Sequence, residues 1–560
     1  MNFSLVLLLV LLTAVSGGFI AKSLKLQPLI GYIVGGIVLK VAFPSISGIL
    51  QLAEIGAILL LFSVGLELPI SKLTQVLKKI AVGTIMQLFA AGLVFYLIFL
   101  RLGIDPKQAF IFAYCFSLSS TILVLKILED RGESDTVHGE IMTGWLLLQD
   151  LAIVPIVVLL PTLVSGPTSW QTPVLALAKA LIVIVVTVLL GKNIAPYLIH
   201  KVASANSREL LILFALSLAA ATAYVTGFLG VSPALGAFLA GVVISESQEN
   251  HAVFAETRSL KDLFVAIFFV TIGLIVIPEI ALKNIFLIFW FAVTVIAVKI
   301  IINFAVSVSL KYRGKPLVLI SLGLSQVGEF AFVILSQALI LGLLFTDYVS
   351  IAVSVALLTL IISPFIYKGG IPIWRWLKSN TLKLGYFGHL FRSGERSIAK
   401  ENEYKDHIII CGYGRVGSWV GNAIYSLKIP HVIIDYNQKI VSDLKSKGLE
   451  VIYGDASEPE ILDLAGIKDA KVVVLAIPDR ASQEGLISYV QTHFPKVKII
   501  SRVHLNEDRD RLKVLRIFRI VQPEFEGSLV IIKSILVSLG RPNEEIKRQV
   551  KRIRMSYAKT

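Results

Sequence analysis

The stretch PLIGYIVGG at residues 28–36 recurs 205 residues later as PALGAFLAG at 233–241. Two more similarities fall at nearly the same offset: SVGL at 63–66 with TIGL at 271–274, 208 residues apart, and the polar patches around Ser119 and Ser325, 206 apart. Glycine-rich apolar helices can resemble one another by chance. Three similarities at one spacing instead indicate that the chain contains two copies of one structural unit.

Long apolar runs surround both copies. The chain is 56% hydrophobic and only 16% charged, whereas soluble domains are about 45–50% apolar and about 25% charged. We predict thirteen spans of bilayer length, near 3–21, 28–43, 49–66, 80–100, 108–128, 140–164, 174–191, 209–227, 232–245, 262–278, 284–308, 316–341 and 348–367. The repeat offset covers seven spans, so the second copy enters the membrane inverted. Inverted repeats are typical of secondary transporters.

Basic residues orient the predicted spans. The first run lacks a basic start, so we interpret it as a retained helix that begins outside, not as a signal peptide. Fifteen Lys and Arg residues then fall on one side of the membrane and four, Lys40, Arg101, Lys107 and Lys283, on the other. The positive-inside rule therefore predicts a multi-pass protein of the cell's inner (plasma) membrane with a cytoplasmic C-terminal region. The net charge of +15 fits an anionic inner leaflet, and no nucleic-acid partner is expected.

Two predicted spans carry polar patches in their middle. Ser117-Leu-Ser119-Ser120-Thr121 lies in the fifth span and Gly323-Leu-Ser325-Gln326-Val-Gly328-Glu329 in the twelfth. Such residues can merely satisfy helix backbone or allow close packing. Because the patches are repeat equivalents, we favour two crossed, broken helices whose freed carbonyls and helix ends line an ion pathway. Ser119 and Thr121 are the hydroxyls expected to face it.

Asp150 follows Gln149 in the middle of the sixth span. A carboxylate at that depth is costly and by default marks a functional site, with a permanently paired structural Asp as the alternative. A carboxylate accepts either a monovalent cation or a proton, so Asp150 is suited to exchange one for the other. Gln149 can add an amide oxygen but no charge. No metal beyond a transported monovalent cation is expected.

Two further charges lie at membrane depth. Lys299 is near the centre of the eleventh span, and it can form an ion pair with Asp150 that cation binding breaks, a static pair, or a snorkelling contact. Glu329 lies beside the twelfth-span patch and is expected to line the pathway.

The chain changes character after a polar linker at 376–405. The strand His407–Cys411 is followed by Gly412-Tyr-Gly414-Arg415-Val-Gly417 and a helix, and Asp435 ends the next strand. This context makes a GxGxxG run a dinucleotide fingerprint: the glycines and Arg415 lie at a phosphate-binding helix start, and Asp435 holds ribose hydroxyls. Asp455 follows the third predicted strand and is a further candidate nucleotide-binding residue. A Rossmann fold that has lost its ligand is the alternative.

The predicted organisation is therefore a transmembrane exchanger domain at 1–375, the linker, a Rossmann-like nucleotide-binding domain at 406–525 and a basic helical tail at 526–560. No catalytic residue set accompanies the nucleotide fingerprint, so we expect a regulatory nucleotide and no enzyme. The two cysteines, Cys115 and Cys411, provide neither a disulfide framework nor a metal cluster.

These residues resemble the monovalent cation:proton antiporter-2 family, specifically Kef-type potassium efflux systems with a C-terminal TrkA-N domain. The resemblance covers about residues 5–525. It is carried by SLSST at 117–121, Gln149-Asp150, ALGAFLAG at 234–241, FFVTIG at 268–273, QVGEF at 326–330, and GYGRVG at 412–417 with Gly454-Asp455. It implies an α-helical inverted-repeat membrane fold plus an α/β domain, a homodimer, and elevator-type alternating access with Asp150 as carrier.

The resemblance also implies that the Gln149-Asp150 pair is associated with potassium selectivity and electroneutral exchange. It implies AMP or NAD(H) as the nucleotide, and it is compatible with a soluble ancillary subunit. The loop at 246–261 departs from the family's glutathione-gated members, because Arg258 and Lys261 stand where acids are expected. Glutathione gating is therefore in doubt. A sodium/proton antiporter and a ligand-gated potassium channel stay open as alternatives, although the chain has no Thr-Val-Gly-Tyr-Gly-like filter.

Overall fold

A computed structural model describes most of the chain and divides it into two compact units. The units comprise residues 1–126 with 141–380, and residues 381–560 with 127–140. The structure describes residues 3–44, 49–67, 70–134, 136–164, 178, 182, 187, 195–204, 207–229, 232–247, 250–380, 390–391, 405–477, 479–503, 506–515 and 517–559.

Apolar helices build the first unit, except that the last residues of α6 and the first of α7 fall in the segment 127–140 of the second. They are α1 (Phe3–Ser23), α2 (Pro28–Ala42), α3 (Ile49–Glu67), α4 (Ile70–Arg101), α5 (Pro106–Ser117), α6 (Thr121–Arg131), α7 (Val137–Val164), α8 (Ala195–Ala203), α9 (Arg208–Phe228), α10 (Pro233–Ser245), α11 (Asn250–Ile275), α12 (Pro278–Lys283), α13 (Ile285–Ser309), α14 (Gly314–Gly323), α15 (Phe330–Ile340), α16 (Thr346–Lys368) and α17 (Gly370–Ser379).

The helices agree with the predicted spans as far as they are described. Seven of them, counting α5 with α6 as one span, are long and apolar enough to cross a membrane within the described residues. Five shorter apolar helices accompany them. The predicted span at 174–191 lies outside the described residues apart from single positions. The count of thirteen therefore stays a prediction, while the multi-spanning helical fold is confirmed.

Glycine crossings reveal the two-fold relation between the repeats. The helices α3 and α10 cross at Gly65 and Gly241. A methyl group on Gly65 would lie 2.2 Å from a carbonyl oxygen of α10, and one on Gly241 would lie 2.1 Å from a carbonyl oxygen of α3. Gly36 of α2 and Gly273 of α11 have the same relation, at 2.1 Å in both directions. Gly36 is the repeat equivalent of Gly241, and Gly65 that of Gly273. A single pseudo-two-fold axis therefore relates the crossing of α2 with α11 to the crossing of α10 with α3, as inverted copies require.

The two predicted breaks are present and contact each other. The helix α5 ends at Ser117 and α6 begins at Thr121, while α14 ends at Gly323 and α15 begins at Phe330. Between them, the Gly328 N–H donates to the Leu118 carbonyl at 3.2 Å. A side chain on Gly328 would lie 2.4 Å from the Ser119 carbonyl oxygen. The glycine is therefore what allows the two interrupted backbones to approach so closely.

A six-stranded parallel sheet organises the second unit. Its strands are β1 (His407–Cys411), β2 (His431–Asp435), β3 (Val451–Tyr453), β4 (Ala470–Leu475), β5 (Lys498–Arg502) and β6 (Arg519–Val521). Their spatial order is β3-β2-β1-β4-β5-β6, with every neighbouring pair parallel. Between and after them lie helices α18 (Arg415–Ser426), α19 (Gln438–Ser446), α20 (Pro459–Leu464), α21 (Arg480–His493), α22 (Asn506–Val514), α23 (Pro523–Ser538) and α24 (Asn543–Lys559).

The strand order reverses between β1 and β4, so the carboxyl end of β1 lies at a topological switch point, where open α/β sheets bind ligands. The predicted Rossmann-like fold is confirmed. The predicted linker lies mostly outside the described residues. The tail, predicted as one helix, is two helices, because Gly540 adopts a positive φ of 69° and Pro542 follows it, which together end α23.

Candidate ion and nucleotide sites

The helix α7 carries Asp150 at its centre, facing the start of α6. The Asp150 side chain is 8% exposed. The Thr121 hydroxyl, on the first residue of α6, donates to the carboxylate with distances of 3.0 and 2.9 Å to its two oxygens. A half-helix N-terminus favours negative charge because its first N–H groups have no partner within the helix. The site therefore holds a carboxylate inside the apolar bundle and adds a hydroxyl oxygen beside it.

Gln149 contacts the backbone of the first break. Its Oε1 accepts from the Ser119 N–H at 2.8 Å, and its Nε2 donates to Oε1 of Gln87 on α4 at 2.8 Å. Both glutamines are buried, at 1% and 0% exposure. The amide oxygen that we predicted for the cation is thus bonded to the chain itself in this structure. Sequence reasoning missed Gln87, although a buried amide in an apolar helix would have been the signal to follow.

Lys299 of α13 connects the two breaks. Its ammonium donates to the Leu118 carbonyl, to the Ser119 hydroxyl at 3.0 Å and to the Gln326 carbonyl at 2.6 Å. An ammonium group has three donors, and these three acceptors match that number. These contacts join Lys299 to the backbone of both breaks. The alternatives that the sequence left open for Lys299, among them an ion pair with Asp150, stay predictions.

Glu329 lies in the second break and caps the first. Its side chain is 2% exposed, and Oε1 accepts from the Ile122 N–H of α6 at 3.3 Å. Its other oxygen is buried without a hydrogen-bond partner in the part of the chain that the structure describes. Glu329 and Asp150 thus approach adjacent residues, Ile122 and Thr121, at one helix N-terminus. The sequence predicted the location of Glu329 but not that it reaches across to α6.

A polar face of α13 continues beyond Lys299, which sequence reasoning did not single out. Asn303 and Ser307 follow at intervals of four residues, and both are 0% exposed. Asn303 Nδ2 donates to the Leu324 carbonyl at 3.1 Å, which also accepts from the Ser119 hydroxyl at 2.9 Å. The i, i+4 spacing places these side chains on one helix face and is the signal by which they could have been found.

The glycine-rich loop of the second unit has an open phosphate cradle. Gly412 has a φ of +91°, which favours glycine. A methyl group on Gly417 would lie 1.9 Å from the Gly412 carbonyl oxygen, so α18 packs directly against the turn. A methyl group on Gly414 would meet no described atom within 4 Å. Gly414 immediately precedes α18, whose first residue is Arg415, so the open space lies at a helix N-terminus suited to a phosphate.

Asp435 links the end of β2 to this loop. Its carboxylate accepts from the Tyr413 N–H at 2.5 Å and from the Asn437 N–H at 2.7 Å. Burial raises the pKa of Asp435 above its ordinary value, and these two backbone donors work against the rise. Asp455 follows β3 and accepts from the N–H and hydroxyl of Ser457 at 2.9 and 2.7 Å. The loop and Asp435 fit a nucleotide, with the glycines for phosphate and Asp435 for ribose.

An inverted-repeat bundle with contacting broken helices and a central buried carboxylate defines a secondary ion transporter. The transmembrane model of the sodium/hydrogen exchangers matches residues 7–368, and the TrkA-N domain model matches residues 408–523. The chain belongs to the sodium/hydrogen exchanger family and carries a TrkA-N domain. This membership makes it a multi-pass cation/proton antiporter and not an enzyme.

Curated relatives resemble it along most of its length. The putative cation/proton antiporter YbaL of Escherichia coli (strain K12) is 30% identical over 519 residues, which cover 88% of this chain and 89% of YbaL. The glutathione-regulated potassium-efflux system protein KefC of Cronobacter sakazakii is 28% identical and covers 95% and 84%. The sodium proton antiporter MjNhaP1 of Methanocaldococcus jannaschii has the same membrane fold, at a TM-score of 0.51, 16% identity, and coverage of 66% and 99%.

Proposed function

We propose that this protein exchanges potassium for protons and that Asp150 is the group for which the two ions compete. The observation that supports this most is the position of Asp150: a buried carboxylate at the centre of α7, bonded to Thr121 at the N-terminus of a half-helix. A carboxylate that must lose its proton to bind a cation couples the two fluxes. If one cation replaces one proton, the exchange is electroneutral.

The remaining charges support this site without competing for it. Lys299 holds the two breaks together, and Glu329 adds a second carboxylate at the N-terminus of α6. In the proposed cycle a homodimer in the inner membrane exposes Asp150 to each side in turn by elevator-type movement, with the TrkA-N domain in the cytoplasm.

Potassium is proposed over sodium because a curated relative that aligns along nearly the whole chain carries the name potassium-efflux system. Sodium is the second candidate, since Asp150 can serve either ion and the matching family model is that of sodium/hydrogen exchangers.

Proton flux in proteoliposomes tests the proposal. A pH-sensitive dye inside the vesicles reports the response to external K⁺ or Na⁺, with and without a voltage clamp that does not depend on potassium. A K⁺-selective response that needs no charge compensation supports electroneutral K⁺/H⁺ exchange. A Na⁺-selective response would make sodium, not potassium, the exchanged cation. Cation flux without proton flux would contradict antiport altogether.

We further propose that AMP or NAD(H) binds the glycine-rich loop and regulates transport. The open cradle at Gly414 and the carboxylate of Asp435 beside it support this. Glutathione gating is not part of the proposal, because Arg258 and Lys261 stand where the family resemblance leads us to expect acids. The segment predicted as a loop at 246–261 is helical from Asn250 onward, in α11.

Gly414→Ala and Asp435→Ala are expected to weaken nucleotide binding by roughly 10- to 100-fold, since each removes the space or a charged hydrogen-bond partner of the ligand. Basal transport should persist. Titration of AMP and, separately, NADH into the detergent-solubilised full chain by calorimetry measures the affinity. Affinity should also fall on acidification, starting above the ordinary pKa of an Asp, because protonated Asp435 accepts hydrogen bonds less well.

Gly485→Ala is the matched control. This glycine lies within α21, and a methyl group there meets no described atom within 4 Å, so the change repeats the chemistry of Gly414→Ala outside the loop. Nucleotide affinity equal to that of the control in both Gly414→Ala and Asp435→Ala would contradict the assignment.

A further inference from the structure

We infer that Gln87 is a positioning residue for ion exchange: with Gln149 it forms an amide clasp that sets the first helix break and thereby holds Thr121 opposite Asp150. This inference rests on the proposed function, because it assigns Gln87 to the site at which cation and proton compete.

The clasp is a continuous series of hydrogen bonds across the break. Gln87 Nε2 donates to the Ser117 carbonyl at 3.1 Å, and Gln87 Oε1 accepts from Gln149 Nε2 at 2.8 Å. Gln149 Oε1 then accepts from the Ser119 N–H at 2.8 Å. The series begins at the last residue of α5 and ends on the other side of Leu118. Two side chains from two other helices thus close the gap that the break opens.

This arrangement meets a physical need of the break. Leaving the helix at Leu118 removes helix hydrogen bonds from nearby carbonyl and N–H groups, and an unpaired polar group costs several kcal/mol where no water reaches it. The clasp satisfies one carbonyl and one N–H. It also specifies its own orientation, because rotating either amide by 180° would place donor against donor and acceptor against acceptor.

The clasp and the ion site connect the same two segments. Gln149 and Asp150 are consecutive on α7, while Ser119 lies in the break and Thr121, two residues further on, begins α6. The bond from Ser119 to Gln149 and the bond from Thr121 to Asp150 are therefore parallel attachments of the break to α7. Without the amide attachment, one of these two bonds between the break and α7 is lost, so we expect Thr121 to be held less firmly opposite the carboxylate and the cation affinity to fall.

Gln87→Leu is the test. The substitution keeps a side chain of similar size and removes both amide bonds. In proteoliposomes we expect the KM for K⁺ to rise about tenfold or more, the size of effect that loss of a buried hydrogen-bond partner produces, and the maximal rate to change much less. Thr84→Val is the control on the same helix: Thr84 is also buried, and its hydroxyl donates within α4, to Ile80.

Three further variants make the test decisive. Gln149→Leu and the double variant Gln87→Leu/Gln149→Leu complete a double-mutant cycle. If both residues belong to one clasp, the double variant should raise the KM by about as much as either single variant does. Gln87→Asn, which is polar but too short to reach both partners, gives the same comparison if Gln87→Leu fails to insert. A KM equal to that of Thr84→Val, or a lowered Tm with an unchanged KM, would show that Gln87 is only structural and would overturn the inference.

The wild type separates this result from the proposed function. If the wild type shows no cation-dependent proton flux, or Asp150→Asn retains it, the proposed function fails whatever Gln87 does. If the wild type exchanges ions, Asp150→Asn does not, and Gln87→Leu matches the control, only the inference about Gln87 fails.

Discussion

Asp150→Asn is expected to reduce cation-dependent proton flux to that of empty liposomes while the protein still inserts into membranes. Asparagine has nearly the same shape and can still accept from the Thr121 hydroxyl, so the contact between α6 and α7 should survive. It can neither release a proton at physiological pH nor offer a negative charge to a cation. Both halves of the exchange should therefore be lost together.

Proton flux driven by a K⁺ gradient, with Tm measured on the same preparation, distinguishes lost chemistry from lost folding. Asp347→Asn is the control, because it makes the same change in an exposed acid at the start of α16. Exchange that persists in Asp150→Asn at the rate of this control would rule out Asp150 as the carrier.

Gly65→Val is expected to prevent assembly of the membrane unit. Already the first carbon of a side chain at Gly65 would lie 2.2 Å from the Phe238 carbonyl oxygen and 2.9 Å from the Val242 nitrogen. These are backbone atoms of α10 and cannot rotate away. Overpacking a core typically costs about 1–3 kcal/mol when side chains can move, so a clash between two backbones should exceed that range. Expression in membranes and the Tm of solubilised protein provide the measurement.

Gly92→Val is the matched control for this crossing. Gly92 also lies in an apolar helix, α4, but a methyl group there meets no described atom within 4 Å. We expect this variant to assemble at the level of the wild type. Equal Tm values for the two variants would mean that α3 and α10 do not cross at the distance that the structure shows.

The repeat also shows why the site is asymmetric. At the offset of 206 between the two polar patches, Asp150 corresponds to Ala356 and Lys299 to Leu93. The inverted copies therefore share their glycine crossings and their breaks but not their charges. The symmetry provides a framework in which two broken helices meet, whereas Asp150 and Lys299 have no charged counterpart in the other copy.

Much of this could be predicted from the sequence because the responsible features are local. Spans are predicted by continuous apolar length, breaks by glycine and hydroxyl residues within such spans, and the Rossmann fold by a glycine turn between a strand and a helix. The predicted separation into a transmembrane region and a C-terminal α/β domain rests on the change of composition along the chain. The central position of Asp150 could be predicted for the same reason, since it depends only on distance along one helix.

The contacts that complete the site join residues far apart in the chain, and no local pattern specifies them. Gln87 and Gln149 are separated by 62 positions, and Lys299 and Leu118 by 181. Several acceptors were open to the Lys299 ammonium, and only the packing of α13 against both breaks brings the carbonyls of Leu118 and Gln326 within hydrogen-bond distance. The sequence by itself determined that costly polar groups lie in the membrane; the tertiary structure decided how they pair, because hydrogen bonds require their partners within about 3 Å, and only folding brings these residues that close.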